Sequence, residues 1–162
     1  MLDSQLIAIV EKIKTAAQKG VTISAAESCT GGMLAAYLTA ISGSSKYFHG
    51  GIVSYSNSAK INLLSVNVGT LEKFGAVSEE TAREMATGAR KVLASDLAIS
   101  ITGIAGDTGG TRDKPIGMVC FAIANNEGVQ SYTHHFTGDR TEVRQQACKI
   151  ALELLLAKMT RI

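Results

Sequence analysis

The chain has no tryptophan, one proline, and four residues each of tyrosine and phenylalanine, so its core has to be built from aliphatic and small side chains. No apolar run approaches the ~20 residues of a membrane span. Asp3 and an amphipathic stretch stand where a secretory leader would have a basic and then an apolar region, which reads as a cytoplasmic protein. Cysteine is scarce. Cys29, Cys120 and Cys148 are odd in number and lack CxxC spacing, which excludes a disulfide framework and a zinc ribbon and suits reduced thiols. His49, His134 and His135 have no metal-ligand spacing, and the adjacent pair points to opposite faces of a strand, so no metal is assigned. Charge of one sign is also missing. Lys and Arg exceed Asp and Glu by only +2 with no basic block, which leaves no footprint for a nucleic-acid partner while still suiting a small anion. Neither GK[ST] nor GxGxxG occurs, so NTP hydrolysis and dinucleotide redox chemistry lose support.

What is present is 162 residues, 46% of them hydrophobic and 19% charged, enough for one domain spanning 1–162. A domain of this size buries roughly 70% of its unfolded surface, so it needs no metal or disulfide to hold a core. Leu6, Ile9, Val10, Ile13 and Ala17 recur at helical spacing, and Gly20 closes the pattern. Residues 21–26 read as a strand, 27–32 as a glycine turn, and 33–41 as a helix. Residues 47–55 mix aromatic and β-branched side chains as a strand does, and Asn57 stands where it would cap a helix carrying Lys60, Leu63 and Leu64. Ser78 caps a helix with Glu79 and Glu80 in its first turn and Ala82, Met85, Ala86, Ala89 and Leu93 on its inner face. A buried strand over 97–101 leads into a glycine-rich loop that runs to Pro115. Residues 118–124 and 129–136 flank a turn-forming cluster as a hairpin, and a last helix starts near Arg140. Strands interleaved with helices plus one hairpin predict an α/β single domain, a mixed β-sheet covered by helices on both faces.

Four stretches could carry chemistry. Ser28 lies just before a helix N-terminus, where free amides and the positive end of the helix dipole favour an oxyanion. Gly31 and Gly32 would let a ligand approach the backbone, although Ser28 or Thr30 could equally be a simple helix cap. Tyr55 and Lys60 would stand roughly 140° apart on one helix, so one must lie off it. With Asn57 as cap, Tyr55 ends the strand, Lys60 is the third helical residue, and the two side chains converge. The helix dipole and burial would both push the Lys60 amine toward its neutral, basic form. Serine plus lysine is a known way to build a nucleophile without histidine, and a solvated lysine beside an edge tyrosine is the plainer alternative. The loop after residue 101, with Gly103, Gly106, Gly109 and Gly110, starts where open α/β sheets bind ligands. Arg140 and Arg144 are neighbours on one helix face, where they could clamp a phosphate or carboxylate or simply be solvated. Cys29, beside the candidate nucleophile, reads as a structural thiol.

Six motifs in this order, Ala26-Glu27-Ser28-Cys29-Thr30-Gly31-Gly32, Tyr55-Ser56-Asn57-Ser58-Ala59-Lys60, Gly75-Ala76-Val77-Ser78, Thr102-Gly103-Ile104-Ala105-Gly106, Lys114-Pro115-Ile116-Gly117 and Phe136-Thr137-Gly138-Asp139-Arg140, resemble the CinA C-terminal domain family, the nicotinamide-nucleotide amidases. The likeness runs from about residue 5 to 158. It implies a stand-alone bacterial enzyme that hydrolyses the carboxamide of nicotinamide mononucleotide (NMN) to nicotinic acid mononucleotide and ammonia, with no cofactor. Larger relatives carry a further N-terminal domain. Ser28 falls on the family's nucleophile, and Tyr55 and Lys60 fall on its tyrosine and lysine. Asn57, Thr102, Gly103, Ala105, Gly106, Arg140 and Arg144 fall on motifs that look like the nucleotide pocket, with Thr30, Gly31 and Gly32 beside the nucleophile. The expected mechanism has neutral Lys60, directly or through Tyr55, taking the Ser28 proton while amides of the 28–32 turn hold the oxyanion. One departure is Asp107, where the family has proline. A carboxylate there would repel a phosphate unless it points away or pairs with Arg112 or Lys114. The alternative reading is a non-catalytic nucleotide-binding or partner-binding module. A two-fold homodimer is the expected assembly, on the prevalence of such dimers alone.

Overall fold

The computed structural model describes every residue, Met1–Ile162. Its strands are β1 (Ile23–Glu27), β2 (Phe48–Val53), β3 (Leu97–Gly103), β4 (Met118–Asn125) and β5 (Gly128–His135). They form one mixed sheet in the order β2-β1-β3-β4-β5, with β1 parallel to both β2 and β3 and the last three strands antiparallel. The helices are α1 (Ser4–Ala16), α2 (Met33–Leu38), α3 (Asn57–Leu64), α4 (Val68–Phe74), α5 (Glu79–Val92) and α6 (Arg140–Met159). None is long and apolar enough to cross a membrane.

Alternation along the strands sorts the side chains into two unlike faces. Ile23, Ala25, Leu97, Ile99, Ile101, Val119, Phe121 and Ile123 meet Leu6, Val10, Ile13, Leu34, Val143, Ala147, Ala151 and Leu155 in one large core against α1, α2 and α6. The opposite face is made of small residues, Ala26, Ala98, Cys120, Ala122 and Ala124, against Ala82, Met85, Ala86 and Ala89 of α5. That smallness lets α5 lie so close that Ser100 Oγ donates to the Ala82 carbonyl at 2.6 Å. Gly88 serves the same economy of space. A Cβ there would stand 2.0 Å from the Leu64 carbonyl oxygen, so the end of α3 crosses α5 only because no side chain intervenes.

The predicted architecture is the observed one, with three local differences. Helix α2 ends at Leu38 instead of reaching Ile41. Asn57 is not the cap of α3. Ser56 is, its Oγ accepting from the Ala59 amide at 3.1 Å, which makes Lys60 the fourth helical residue instead of the third. Helix α4 has little apolar periodicity of its own and was not foreseen. It is held from α5, where Glu84 accepts from the Asn67 amide at 2.7 Å and the Thr70 hydroxyl at 2.6 Å. Elsewhere local chemistry decides as expected, with Ser78 capping α5 and Asp139 and Glu142 forming a capping box that starts α6 at Arg140.

Candidate active site

The carboxyl ends of β1, β2 and β3 converge on one cleft of about 340 Å³, the place where open parallel sheets present ligand sites. Ser28 follows β1 and is pinned there, its amide donating to the Ile101 carbonyl at 2.9 Å while the neighbouring Glu27 carbonyl accepts from Ser54 N at 2.8 Å. Gly31 (φ 56°) and Gly32 (φ 96°) then take left-handed conformations that double the chain back into α2.

Glu27 shares the face of Ile23 and Ala25, so its side chain turns under the bend. Its carboxylate accepts from the amides of Gly32 at 3.1 Å, Leu34 at 3.0 Å and Ala35 at 2.8 Å. The N-terminus of α2, expected to face an oxyanion, is therefore capped from inside the protein. The Gly31 amide is spent on the Ser28 carbonyl and that of Met33 on Thr30. The amides of Cys29 and Thr30 are the donors of this turn with no acceptor in the protein. Of the two, only Cys29 lines the cleft, beside the Ser28 hydroxyl, where its amide can serve an oxyanion.

Lys60 is 1% exposed, yet its amine meets no carboxylate. Nζ lies 2.9 Å from Ser28 Oγ, 2.8 Å from the Ser54 carbonyl oxygen and 3.3 Å from that of Tyr55. Burial lowers its pKa from the ordinary lysine value. Protonated, the amine donates to all three oxygens; neutral, its two N–H groups serve the carbonyls and its lone pair faces the serine hydroxyl.

The other expected residues divide. The Tyr55 side chain is 61% exposed, and its hydroxyl accepts from Arg140 Nη2 at 3.2 Å, so it does not relay a proton between Ser28 and Lys60. What Tyr55 offers the lysine is its main-chain carbonyl. The two arginines do not form a joint clamp. Arg140 lines the cleft, and Gly106 leaves it room, since a Cβ there would stand 2.7 Å from Arg140 Nη1. Arg144 turns away behind the Ser28 bend and donates to the Thr30 carbonyl at 2.9 Å. Thr30 is fully buried, and Thr30, Gly31 and Gly32 shape the bend without lining the cleft. Thr102, Gly103, Ala105 and Gly106 do line it, with the Thr102 hydroxyl donating to the Ala76 carbonyl at 2.8 Å. Asn57 stands exposed on the first turn of α3, outside the cleft. Asp107 is exposed, lies outside the lining and pairs with neither Arg112 nor Lys114, whose amine donates to the Phe74 carbonyl instead.

Glu27, Ser54, Ala76, Val77, Ile104 and Thr108 belong to the site or its support and were not singled out from sequence. Glu27 closes β1 and sat, like Ala76 and Val77, inside a motif without a role of its own. Nowhere do three or more His, Cys, Asp or Glu side chains converge as a metal site. Cys29 touches the cleft, but burial pushes its thiol up to about 12, so it stays protonated and weakly nucleophilic at neutral pH. Cys29→Ala is accordingly expected to keep the kcat of any hydrolysis carried out by Ser28 within a few-fold of the parent, measured by steady-state kinetics.

The protein-family model for the CinA C-terminal domain matches residues 6–159. The chain belongs to the CinA C-terminal domain family. A CinA-like protein of Syntrophomonas wolfei is 53% identical over 139 residues, covering 86% of this chain and 33% of that protein. A CinA-like protein of Fervidobacterium nodosum is 46% identical over 134 residues, with 83% and 33% covered. The chain thus spans about a third of the length of these curated relatives. Among solved structures, the competence/damage inducible protein CihA from Agrobacterium tumefaciens superposes with a TM-score of 0.94 at 39% identity, covering 97% of each chain. A CinA superfamily protein from Escherichia coli superposes with a TM-score of 0.90 at 35% identity, covering 97% of this chain and 94% of the other.

Proposed function

We propose that this CinA-family chain is an amidohydrolase that converts NMN to nicotinic acid mononucleotide and ammonia, with Ser28 as nucleophile and Lys60 as base. The observation that carries the reading is the buried amine of Lys60, without a counter-ion, 2.9 Å from the hydroxyl of Ser28. As Ser28 Oγ attacks the carboxamide carbon, neutral Lys60 takes the hydroxyl proton. The carbonyl π bond opens, and the oxyanion settles against the amide of Cys29, which lines the cleft, a contribution of about 3–4 kcal/mol for one well-placed donor. Collapse of this intermediate breaks the carbon–nitrogen bond. Lys60 hands its proton to the departing nitrogen, ammonia leaves, and an ester on Ser28 remains. Water attacks the ester with Lys60 again as base, and Ser28 regains its proton as the carboxylic acid is released.

Arg140, at the mouth, supplies a guanidinium for the substrate phosphate, so binding energy far from the reacting bond orients the ring. Asp107 stands outside the lining and does not oppose that contact. Free nicotinamide, which lacks the phosphate, should then react poorly. The decisive experiment is to mix the protein with NMN, quench rapidly and look by mass spectrometry for the acyl group on the peptide carrying Ser28. A label on Ser28 supports the mechanism and a label on Cys29 overturns it. Saturable NMN binding with no ammonia would make the chain a non-catalytic binding module.

A further inference from the structure

The cleft holds a single base. The titratable side chains that line it are those of Cys29, Tyr55, Lys60 and Arg140, with no carboxylate and no imidazole among them. Glu27 lies under the Ser28 bend with its oxygens taken by three amides, and Asp107 stands outside the lining. The Tyr55 hydroxyl accepts from Arg140 at the mouth, burial keeps the Cys29 thiol protonated, and a guanidinium has no lone pair to offer. Lys60 is therefore the one group of the cleft that can take a proton from an attacking nucleophile.

On the amidase reading, on which this inference rests, that base serves twice. Ammonia leaves past Lys60, and the second nucleophile enters past it. Nothing in the cleft reserves the second place for water, because no further acid or base lines it to hold and activate one. By microscopic reversibility, the path that lets ammonia out also lets in an uncharged nitrogen of similar size. Charge is selected as well as size. The side chains that carry charge in the lining are cationic, Arg140 always and Lys60 when protonated, and no acid is there to attract an ammonium ion. We propose that the chain is also an acyltransferase, passing the acyl group from Ser28 to small uncharged nitrogen nucleophiles such as hydroxylamine and hydrazine.

The step is acylation run backwards with one hydrogen of ammonia replaced by a hydroxyl. The nitrogen lone pair of hydroxylamine attacks the ester carbon, a carbon–nitrogen bond forms, and the oxyanion turns to the Cys29 amide. Lys60 takes one proton from that nitrogen. Collapse of the intermediate breaks the carbon–oxygen bond to Ser28, and Lys60 returns the proton to Ser28 Oγ, 2.9 Å from its Nζ. NMN and hydroxylamine thus give ammonia and a hydroxamate, nothing is oxidised or reduced, and the free enzyme is restored. Alkylamines, which are ammonium ions at neutral pH, are turned away by the same cations that leave hydroxylamine untouched.

The test incubates the unmodified protein with NMN and hydroxylamine near neutral pH and measures hydroxamate and acid by liquid chromatography with mass spectrometry. Raising hydroxylamine from about 0.1 to about 1 M should raise the ratio of hydroxamate to acid roughly 10-fold, because both products drain one ester. Methylamine over the same range should leave the acid as the sole product. Acid and ammonia without hydroxamate would leave the amidase reading standing and overturn the acyltransferase. Neither acid nor hydroxamate would mean that no ester forms, and both readings would fall together. Ser28→Ala should make no hydroxamate. Formation at the parent rate in that variant would show that hydroxylamine attacks the carboxamide directly, and a methylamide formed as readily as the hydroxamate would overturn the selection by charge.

Discussion

Ser28→Ala is expected to lose at least about 10⁴-fold in kcat for ammonia release from NMN, because no other nucleophile is in place to form the ester. Lys60→Met should lose about 10²–10⁴-fold, the range spanned by removal of a general base. Lys60→Arg separates two explanations of that loss. A guanidinium keeps a positive charge beside Ser28 but has no lone pair at any pH of interest. If Lys60 acts as base, the arginine variant is as inactive as the methionine one, whereas a lysine that only supplied charge would be replaced with partial activity. Unchanged far-ultraviolet dichroism would establish that each variant is folded. Turnover near the parent level in Ser28→Ala ends the serine mechanism.

The same residue gives the reaction its pH dependence. Protonated Lys60 cannot accept the Ser28 proton, so kcat/KM should rise with pH through the pKa of this amine and then level off. Burial lowers that pKa from the lysine value of 10.5, so the rising limb must lie on the acid side of an ordinary lysine titration. A limb centred at the ordinary lysine value would mean that the amine is hydrated when it works, in conflict with its 1% exposure. Cys29 cannot mimic this limb, because burial pushes its thiol up to about 12.

How much of this was legible beforehand depends on the range of the interaction. Helices α1, α5 and α6 carry their apolar faces and caps within one stretch of chain, and they were readable. So was the serine at a strand-to-helix turn, because the glycines that bend it are its neighbours. Helix α4 was not, since Glu84 from another helix holds it. Ser56 displaced Asn57 as cap because two adjacent residues of equal capping strength compete, and only the backbone angle of each decides. The side chains of Tyr55 and Lys60 do not meet; Lys60 instead reaches the Tyr55 carbonyl, which every residue possesses and no side-chain pattern can announce. Arg140 and Arg144 share a helix face, yet the Thr30 carbonyl, more than a hundred residues earlier, claims the second of them.

Glu27 is the residue whose importance only the folded chain reveals, and its removal should be felt in stability before chemistry. Glu27→Ala leaves the amides of Gly32, Leu34 and Ala35 without an acceptor, in a place where water cannot easily follow. An orphaned buried donor costs about 1–3 kcal/mol, so three of them sharing one turn should lower stability by roughly 3 kcal/mol or more. For a domain of this size that is a fall in Tm of at least roughly 6 °C. Glu27→Gln is the sharper variant, because it keeps the shape and one acceptor oxygen but turns an N–H₂ toward one of the amides. It should fold with a smaller loss while the Ser28 bend shifts relative to Lys60. A displacement of about 1 Å at a reacting atom can cost about 10²-fold, so kcat should fall by that order while KM for NMN stays near its parent value, the phosphate contact at Arg140 being untouched. Calorimetry and steady-state kinetics on the two variants measure both effects. A parent-like Tm and kcat in Glu27→Ala would mean that α2 is capped by solvent and that the bend holds itself.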